Sequence, residues 1–287
     1  MGNETGVLTM TDRIYPPLLR QIPDPPQKLY YAGNAALLDS RCVSVVGSRT
    51  TTAYGRNTAR AIGRRLGGSG FTVVSGMAAG IDTCAHEGAL DAGGNTIAVL
   101  GCGPDVCFPE QNRILMQVIR RDGLILSEYP PGTEPRPFRF PQRNRIISGL
   151  SELTVIVQAR NRSGALITAE LAEEQGRQVL AVPGNIDSQY NMGTNKLIQE
   201  GAAPIIRVED VIEALGAPKL TEEDVSRLLS DREQEIYQII REHGEMTPDE
   251  ICLKMRRSPE YLNPILSIME MKGFLHSAMG KFFLANM

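Results

Sequence analysis

The 287-residue chain, with 42% hydrophobic and 22% charged residues, has a composition that excludes collagen-like, coiled-coil and wholly disordered architectures. Its length suggests two domains, one large and one small. A formal net charge of −3 means that any polyanionic ligand must be met by a local basic patch. No apolar run approaches the ~20 residues of a membrane span and no segment reads as a signal peptide, so a cytoplasmic, membrane-free location is expected. Cys42, Cys84, Cys102, Cys107 and Cys252 are odd in number and scattered, which points to a reducing compartment rather than a disulfide framework.

Residues 1–40 are rich in proline (Pro16, Pro17, Pro23, Pro25, Pro26) and lack a sustained period; they read as a mostly irregular arm. From Cys42 the pattern changes to βα units. Cys42–Gly47 leads into a helical stretch from Tyr54 to Leu66, Phe71–Ser75 into Ala79–Leu90, and Thr96–Leu100 into Gln111–Arg121. Leu124–Ser127 leads into a loop, Thr154–Gln158 into Ala165–Gln175, and Val179–Val182 into Asn195–Gln199. Short apolar strands alternating with helices of this length predict an α/β, Rossmann-like domain over 41–215, built on a parallel sheet. Gly216, Pro218 and the acidic Glu222, Glu223 and Asp224 mark a linker over 216–230. Over 231–287 a capped helix (Asp231 to Glu242), a second opened by Thr247-Pro248 with Glu250 in capping-box spacing, a third from Ser258 to Lys272 and a hairpin from Leu275 to Leu284 predict a small winged helix.

In open α/β sheets ligands sit beyond the carboxyl ends of the strands, so the loops found there are the candidate site. They carry Gly47-Ser48-Arg49, Ser75-Gly76 to Ile81-Asp82, Phe138 to Arg145, Arg160 to Gly164, and Val182-Pro183-Gly184 with Gly193 to Lys196. Glycine or serine before a helix N-terminus leaves free amides and a favourable dipole for phosphate. Arginine is concentrated in the same region, with no acidic residue between Arg49 and Asp82, whereas the chain beyond Leu220 is acidic. Phe140 among arginines supplies a ring on which a base can stack, and stacking with a backbone-tracking groove favours single-stranded over duplex nucleic acid. The expected phosphate and strand contacts are Gly47, Ser48, Arg49, Ser75, Gly76, Phe140, Arg143, Asn144, Arg145, Ser163, Gly164 and Lys196. For Arg56, Arg60, Arg64 and Arg65 a solvated helix face competes with this role; Phe138 also reads as core, Phe140 between Arg139 and Pro141 is harder to bury, and Tyr129 is open.

Gly47-Ser48-Arg49, Ser75-Gly76 to Ile81-Asp82 with Ala85-His86, Phe140-Pro141 to Gly149-Leu150-Ser151, Ser163-Gly164 to Ala172 and Ala181-Val182-Pro183-Gly184 together resemble the DprA/Smf DNA-processing proteins, from about Tyr15 to Ile206. The resemblance implies a Rossmann-like core that binds single-stranded DNA, forms a homodimer and passes the DNA to a RecA-type recombinase in natural transformation. It further implies that Arg49 and the Phe140 to Arg145 loop grip DNA, with Lys196 and the Ser163-Gly164 turn lining a phosphate pocket. The chain departs from similar proteins at Gln158, where Glu is usual, at Ala165, where Ser is usual, and at Cys102 and Cys107.

Competing readings are weaker in chemistry. Gly101-Cys102-Gly103 lacks the full glycine fingerprint and reads as a tight turn, no Walker-type motif is present, and the spacing of Cys84, His86, Cys102 and Cys107 fits no standard zinc site. No cofactor or metal is expected. His86 and Asp82, four apart, read as loop-fixing residues rather than a catalytic pair, because no nucleophile attends them. The alternative function is a phosphoribohydrolase-like enzyme acting on nucleoside monophosphates, but Pro183-Gly184 continues as Asn185-Ile186 and lacks the acidic partner of that family's motif. Glu260 and Glu270 on the third helix of the small domain make base reading poor, so a protein-contact or regulatory module is expected there. Dimerisation is expected near Leu197 to Leu215.

Overall fold

A computed structural model describes residues 5–216, 229–272, 274–278 and 280–284. It divides into two units, Met1–Val211 and Ile212–Met287.

The first unit is built on a nine-stranded sheet in the order β1-β2-β6-β5-β4-β3-β7-β8-β9. Its centre comprises β3 (Cys42–Val46), β4 (Thr72–Ser75), β5 (Thr96–Leu100), β6 (Leu124–Ser127), β7 (Leu153–Ile156) and β8 (Gln178–Ala181), all parallel, with the short β9 (Ala203–Pro204) at one edge. Every residue of β3, β4, β5, β6 and β7 is buried, as expected of strands covered on both faces. Alternate residues serve opposite layers: Ile97 and Val99 join one apolar cluster, Ala98 and Leu100 the other. The intervening helices are α2 (Ala53–Gly68), α3 (Ile81–Asp91), α4 (Arg113–Asp122), α5 (Arg139–Gly149), α6 (Gly164–Glu174), α7 (Met192–Gln199) and α8 (Glu209–Ala214), preceded by the single turn α1 (Pro17–Arg20). Thr52 caps α2 by accepting from the Gly55 amide at 3.1 Å, and Ser163 caps α6 through the Ala165 amide at 3.3 Å.

The irregular arm expected over 1–40 is corrected. β1 (Thr5–Thr9) pairs antiparallel with β2 (Lys28–Gly33), and β2 pairs antiparallel with β6, so this segment extends the sheet and buries Leu8, Tyr15, Leu19 and Leu29 in the main core. The prolines lie between the two strands rather than within them, where a missing amide costs no ladder bond. The loop expected after Phe138 is also corrected. Arg139–Gly149 is the helix α5, with Pro141 in its first turn, where the absent N–H has no intrahelical partner to lose.

The strand order reverses between β3 and β7, whose chain neighbours lie on opposite sides of them. This switch point opens a crevice at the carboxyl ends of the strands. The loops after β3, β7 and β8 meet there.

In the second unit, α9 (Asp231–His243), α10 (Pro248–Met255) and α11 (Pro259–Met271) precede the antiparallel hairpin of β10 (Leu275–Ala278) and β11 (Lys281–Leu284), the element order of a winged helix. Capping boxes Ser230/Glu233 and Thr247/Glu250 open α9 and α10. Ile236, Ile240, Ile251, Leu262, Leu266 and Leu275 form a separate core. Most of the linker expected over 216–230 lies outside the described residues.

Candidate nucleic-acid interface

The strand-end loops are locked together by three buried polar residues. Asp82, at the start of α3, accepts from the amides of Gly76 at 3.1 Å, Ala78 at 3.4 Å and Gly47 at 3.4 Å, tying the loop after β4 to the loop after β3. Burial raises the pKa of its carboxyl, and Arg143 with the three amides draws it back. Gly80 has φ +88, and a Cβ there would stand 2.5 Å from the Ser48 carbonyl oxygen, so the approach of these two loops requires glycine.

Arg143 is the second strut. It is 4% exposed, and its Nη1 donates to the carbonyls of Gly76 and Val99. Burial pushes its pKa down to about 10, opposed by Asp82, and it stays charged at neutral pH. A Cβ on Gly76 would lie 2.4 Å from that guanidinium, so glycine opens the space the arginine fills.

Gln158, fully buried beyond β7, is the third. Its Oε1 accepts from Thr51 Oγ1 at 2.6 Å and the Thr52 amide at 3.1 Å, while its Nε2 donates to Thr52 Oγ1 at 3.0 Å and Asn191 Oδ1 at 2.9 Å. The neutral amide both accepts and donates, so one side chain joins the loops after β3 and β8 across the switch point.

Several expected contacts are thereby corrected. Arg143 is internal, as are Ser75, whose hydroxyl donates to the Val45 carbonyl at 2.7 Å, and the Gly76 and Gly47 amides held by Asp82. The Ser48 hydroxyl is turned to the Thr50 carbonyl at 2.7 Å. Arg145 is held by Glu128 at 2.7 Å and Asp24 at 2.9 Å; burial works against its charge, yet these carboxylates prevail and raise its pKa. Asn144 donates to the Gly164 carbonyl at 3.3 Å, and exposed Lys196 pairs with Glu200 at 3.2 Å. Arg60 and Arg64 pair with Asp91 on α3, and Arg65 with Glu209, which resolves three of the four α2 arginines as ion-paired. Ser163 and Gly164 open α6 at the same edge, and a Cβ on Gly164 would meet open space.

What remains is a guanidinium rim. Arg49, Arg56, Arg136, Arg139, Arg160 and Arg162 form no ion pair among the described residues; Arg49, Arg56, Arg136 and Arg162 are exposed, and Arg139 and Arg160 are partly buried. The Arg49 guanidinium lies 5.1 Å from the centre of the Phe140 ring, and Phe140 in turn stacks on Phe108 with centroids 5.3 Å apart. Phe140 rests against Gly101 at the end of β5, Phe108 is 41% exposed, and the three side chains make a platform of one guanidinium and two rings. The expected order of burial is reversed: Phe138, the core candidate, is 56% exposed, whereas Phe140 is partly buried. Arg139 stands over Tyr129 at 4.7 Å, and Arg160 over Tyr190 at 4.5 Å.

Phe108 and Tyr190 were not among the expected contacts. Each is an aromatic within a strand-end loop beside the small or turn residues already singled out, and that position was the available signal. His86 does not face Asp82. Its Nδ1 lies 2.6 Å from Thr96 Oγ1, whose one proton goes to the Val73 carbonyl, so Nδ1 carries the proton; burial pushes the His86 pKa down to about 3. Among the described residues no group of three or more His, Cys, Asp or Glu is arranged to hold a metal ion.

The model of the family described as DNA recombination-mediator protein A matches residues 6–216. The chain belongs to that family. It is 46% identical over 220 residues to protein Smf of Synechocystis, an alignment covering 75% of this chain and 55% of that protein, so the match spans about half the length of that relative. Against DNA processing protein DprA of Bacillus subtilis it is 42% identical over 215 residues, 74% of this chain and 72% of that one. The fold matches the crystal structure of DprA from Streptococcus pneumoniae with a TM-score of 0.70 and 44% identity, over 73% of this chain and 74% of that one. It also matches DNA processing protein A of Helicobacter pylori, described for its single-stranded DNA binding mode, with a TM-score of 0.66 and 32% identity over 75% and 98% of the two chains. The family is described as one of recombination mediators.

Proposed function

We propose that the protein binds single-stranded DNA across the carboxyl ends of its sheet and acts as a mediator that protects the strand and delivers it to a RecA-type recombinase during natural transformation, working as a cytoplasmic homodimer. The observation that carries the reading is the Arg49–Phe140–Phe108 platform beside the switch point, with unpaired guanidinium groups on either side of it. Stacking holds a base whose π-face is free, which an unpaired strand offers and a duplex does not. The exposed arginines supply the sequence-independent phosphate attraction. Ser163 and Gly164, at the start of α6 on the same edge, supply further amide donors.

Nucleoside monophosphate hydrolysis fits the geometry poorly. Asp82 is committed to three amides, and Glu128 to Arg145. Gel shifts with single- and double-stranded oligonucleotides at two salt concentrations test the proposal. The wild type shifts the single strand, more weakly at high salt, and Arg49→Glu fails to do so whatever the sequence; equal shifting by both proteins removes the platform from the site.

A further inference from the structure

A second cluster of aromatic and guanidinium groups lies on the other side of the switch point. Arg160, just beyond β7, stands 4.5 Å from the centre of the Tyr190 ring, and its Nε is buried without a hydrogen-bond partner among the described residues. Tyr54, 51% exposed in the first turn of α2, donates its hydroxyl to the Pro183 carbonyl at 3.1 Å and so leans on the loop that carries Tyr190. The same loop is anchored by Asn191, the neighbour of Tyr190, through Gln158 to Thr52. Gly193 donates to the Ala159 carbonyl at 2.8 Å, which sets the start of α7 against the residue before Arg160. Tyr54, Tyr190 and Arg160 are thus fixed relative to the strand ends by backbone and buried side-chain hydrogen bonds.

We propose that Tyr190, with Arg160 stacked on it and Tyr54 beside it, is a second base-stacking subsite, which the same bound strand reaches after crossing the switch point from the Phe140 platform. The inference rests on the single-strand reading above. Phe140 lies over the end of β5 and Arg160 follows β7, three strand positions away in the sheet order, or four if the subsite extends over β8. At ~4.8 Å between strands the two stacks are roughly 14–19 Å apart. At the ~3.4 Å spacing of a stacked strand that distance corresponds to about four to six nucleotides. Both faces of a guanidinium plane can stack, so Arg160 can lie between the Tyr190 ring and a base.

The test measures binding of oligo-dT of three and of eight nucleotides by fluorescence anisotropy, with the full chain and with Tyr190→Ala, Tyr190→Phe, Arg160→Ala and Arg49→Glu. Only the octamer spans both seats. Loss of one stacked base weakens its binding by about 5- to 150-fold in Tyr190→Ala and Arg160→Ala. The trimer, which occupies one seat or the other, loses at most about twofold. Tyr190→Phe keeps the ring and binds as the wild type does; unchanged melting temperatures show that the variants are folded. Wild-type octamer affinity in folded Tyr190→Ala overturns the second subsite while leaving strand binding intact, provided Arg49→Glu is impaired. Failure of the wild type to bind either oligonucleotide overturns both readings.

Discussion

Replacing Arg143 by leucine separates a structural strut from a DNA contact at the position where sequence and structure disagree. In the fold its guanidinium holds the carbonyls of Gly76 and Val99, while the Gly76 amide donates to Asp82, so arginine and aspartate are linked through the two backbone groups of one glycine rather than by direct contact. Leucine leaves two buried carbonyls unsatisfied, at ~1–3 kcal/mol each, and removes the cation that offsets a fully enclosed carboxylate. Relief of the arginine's own desolvation returns part of this, and a net loss of about 3–5 kcal/mol is expected, as for breaking other buried charge pairs. In a unit of this size that corresponds to a fall in melting temperature of roughly 6–20 °C, read by calorimetry. Without Arg143 the folded-state pKa of Asp82 moves further above its unfolded value. Protonation then favours the folded state, and the deficit shrinks as the pH is lowered through the raised pKa toward the ordinary carboxylate range. Arg143→Leu combined with Asp82→Asn recovers part of the loss, because no charge is left unpaired. A folded Arg143→Leu protein with the wild-type melting temperature and weakened DNA binding would refute this reasoning and return Arg143 to the interface.

Arg49→Ala, in contrast, touches an exposed side chain and leaves the melting temperature unchanged. It reduces the slope of log affinity against log salt for single strands by about 0.7, the share of one phosphate contact, in an anisotropy titration. His86, held neutral with its pKa near 3, makes the protein less stable in acid. Below pH 6.5 the unfolded chain takes up a proton that the folded chain refuses, so up to about 2 kcal/mol is lost between pH 6.5 and 5 and regained on raising the pH. Urea melts at the two pH values should show a smaller difference for His86→Gln; an equal difference would place the acid sensitivity elsewhere. A chain ending at Leu215 keeps most of the single-strand affinity in gel shifts, and its loss would assign DNA recognition to the second unit.

The parallel strands were legible because burial on both faces writes itself as an apolar run closed by glycine or serine, as in Cys42–Gly47 and Phe71–Ser75, and the strands observed start and stop within about a residue of those runs. β2 was not, because Lys28–Gly33 lies at the antiparallel side of the sheet with Tyr30 and Tyr31 only partly buried, and the prolines before it suggested an irregular segment. α5 was hidden by Pro141 and by a run of polar residues that satisfies no apolar period; packing, rather than propensity, makes it helical. The arginines show most plainly what a sequence withholds. Arg49, Arg143 and Arg145 are equivalent as letters near strand ends, and only the fold brings Glu128 and Asp24, the latter 121 residues away, onto Arg145, and the Gly76 carbonyl, 67 residues away, onto Arg143. Arg49 alone of the three is left to solvent, because its near neighbours are Phe140 and backbone rather than carboxylate. Three of the unpaired cations at this edge, Arg49, Arg139 and Arg160, fold against aromatic rings. A guanidinium can rest on a π-face without being neutralised, and that leaves its charge available to a phosphate.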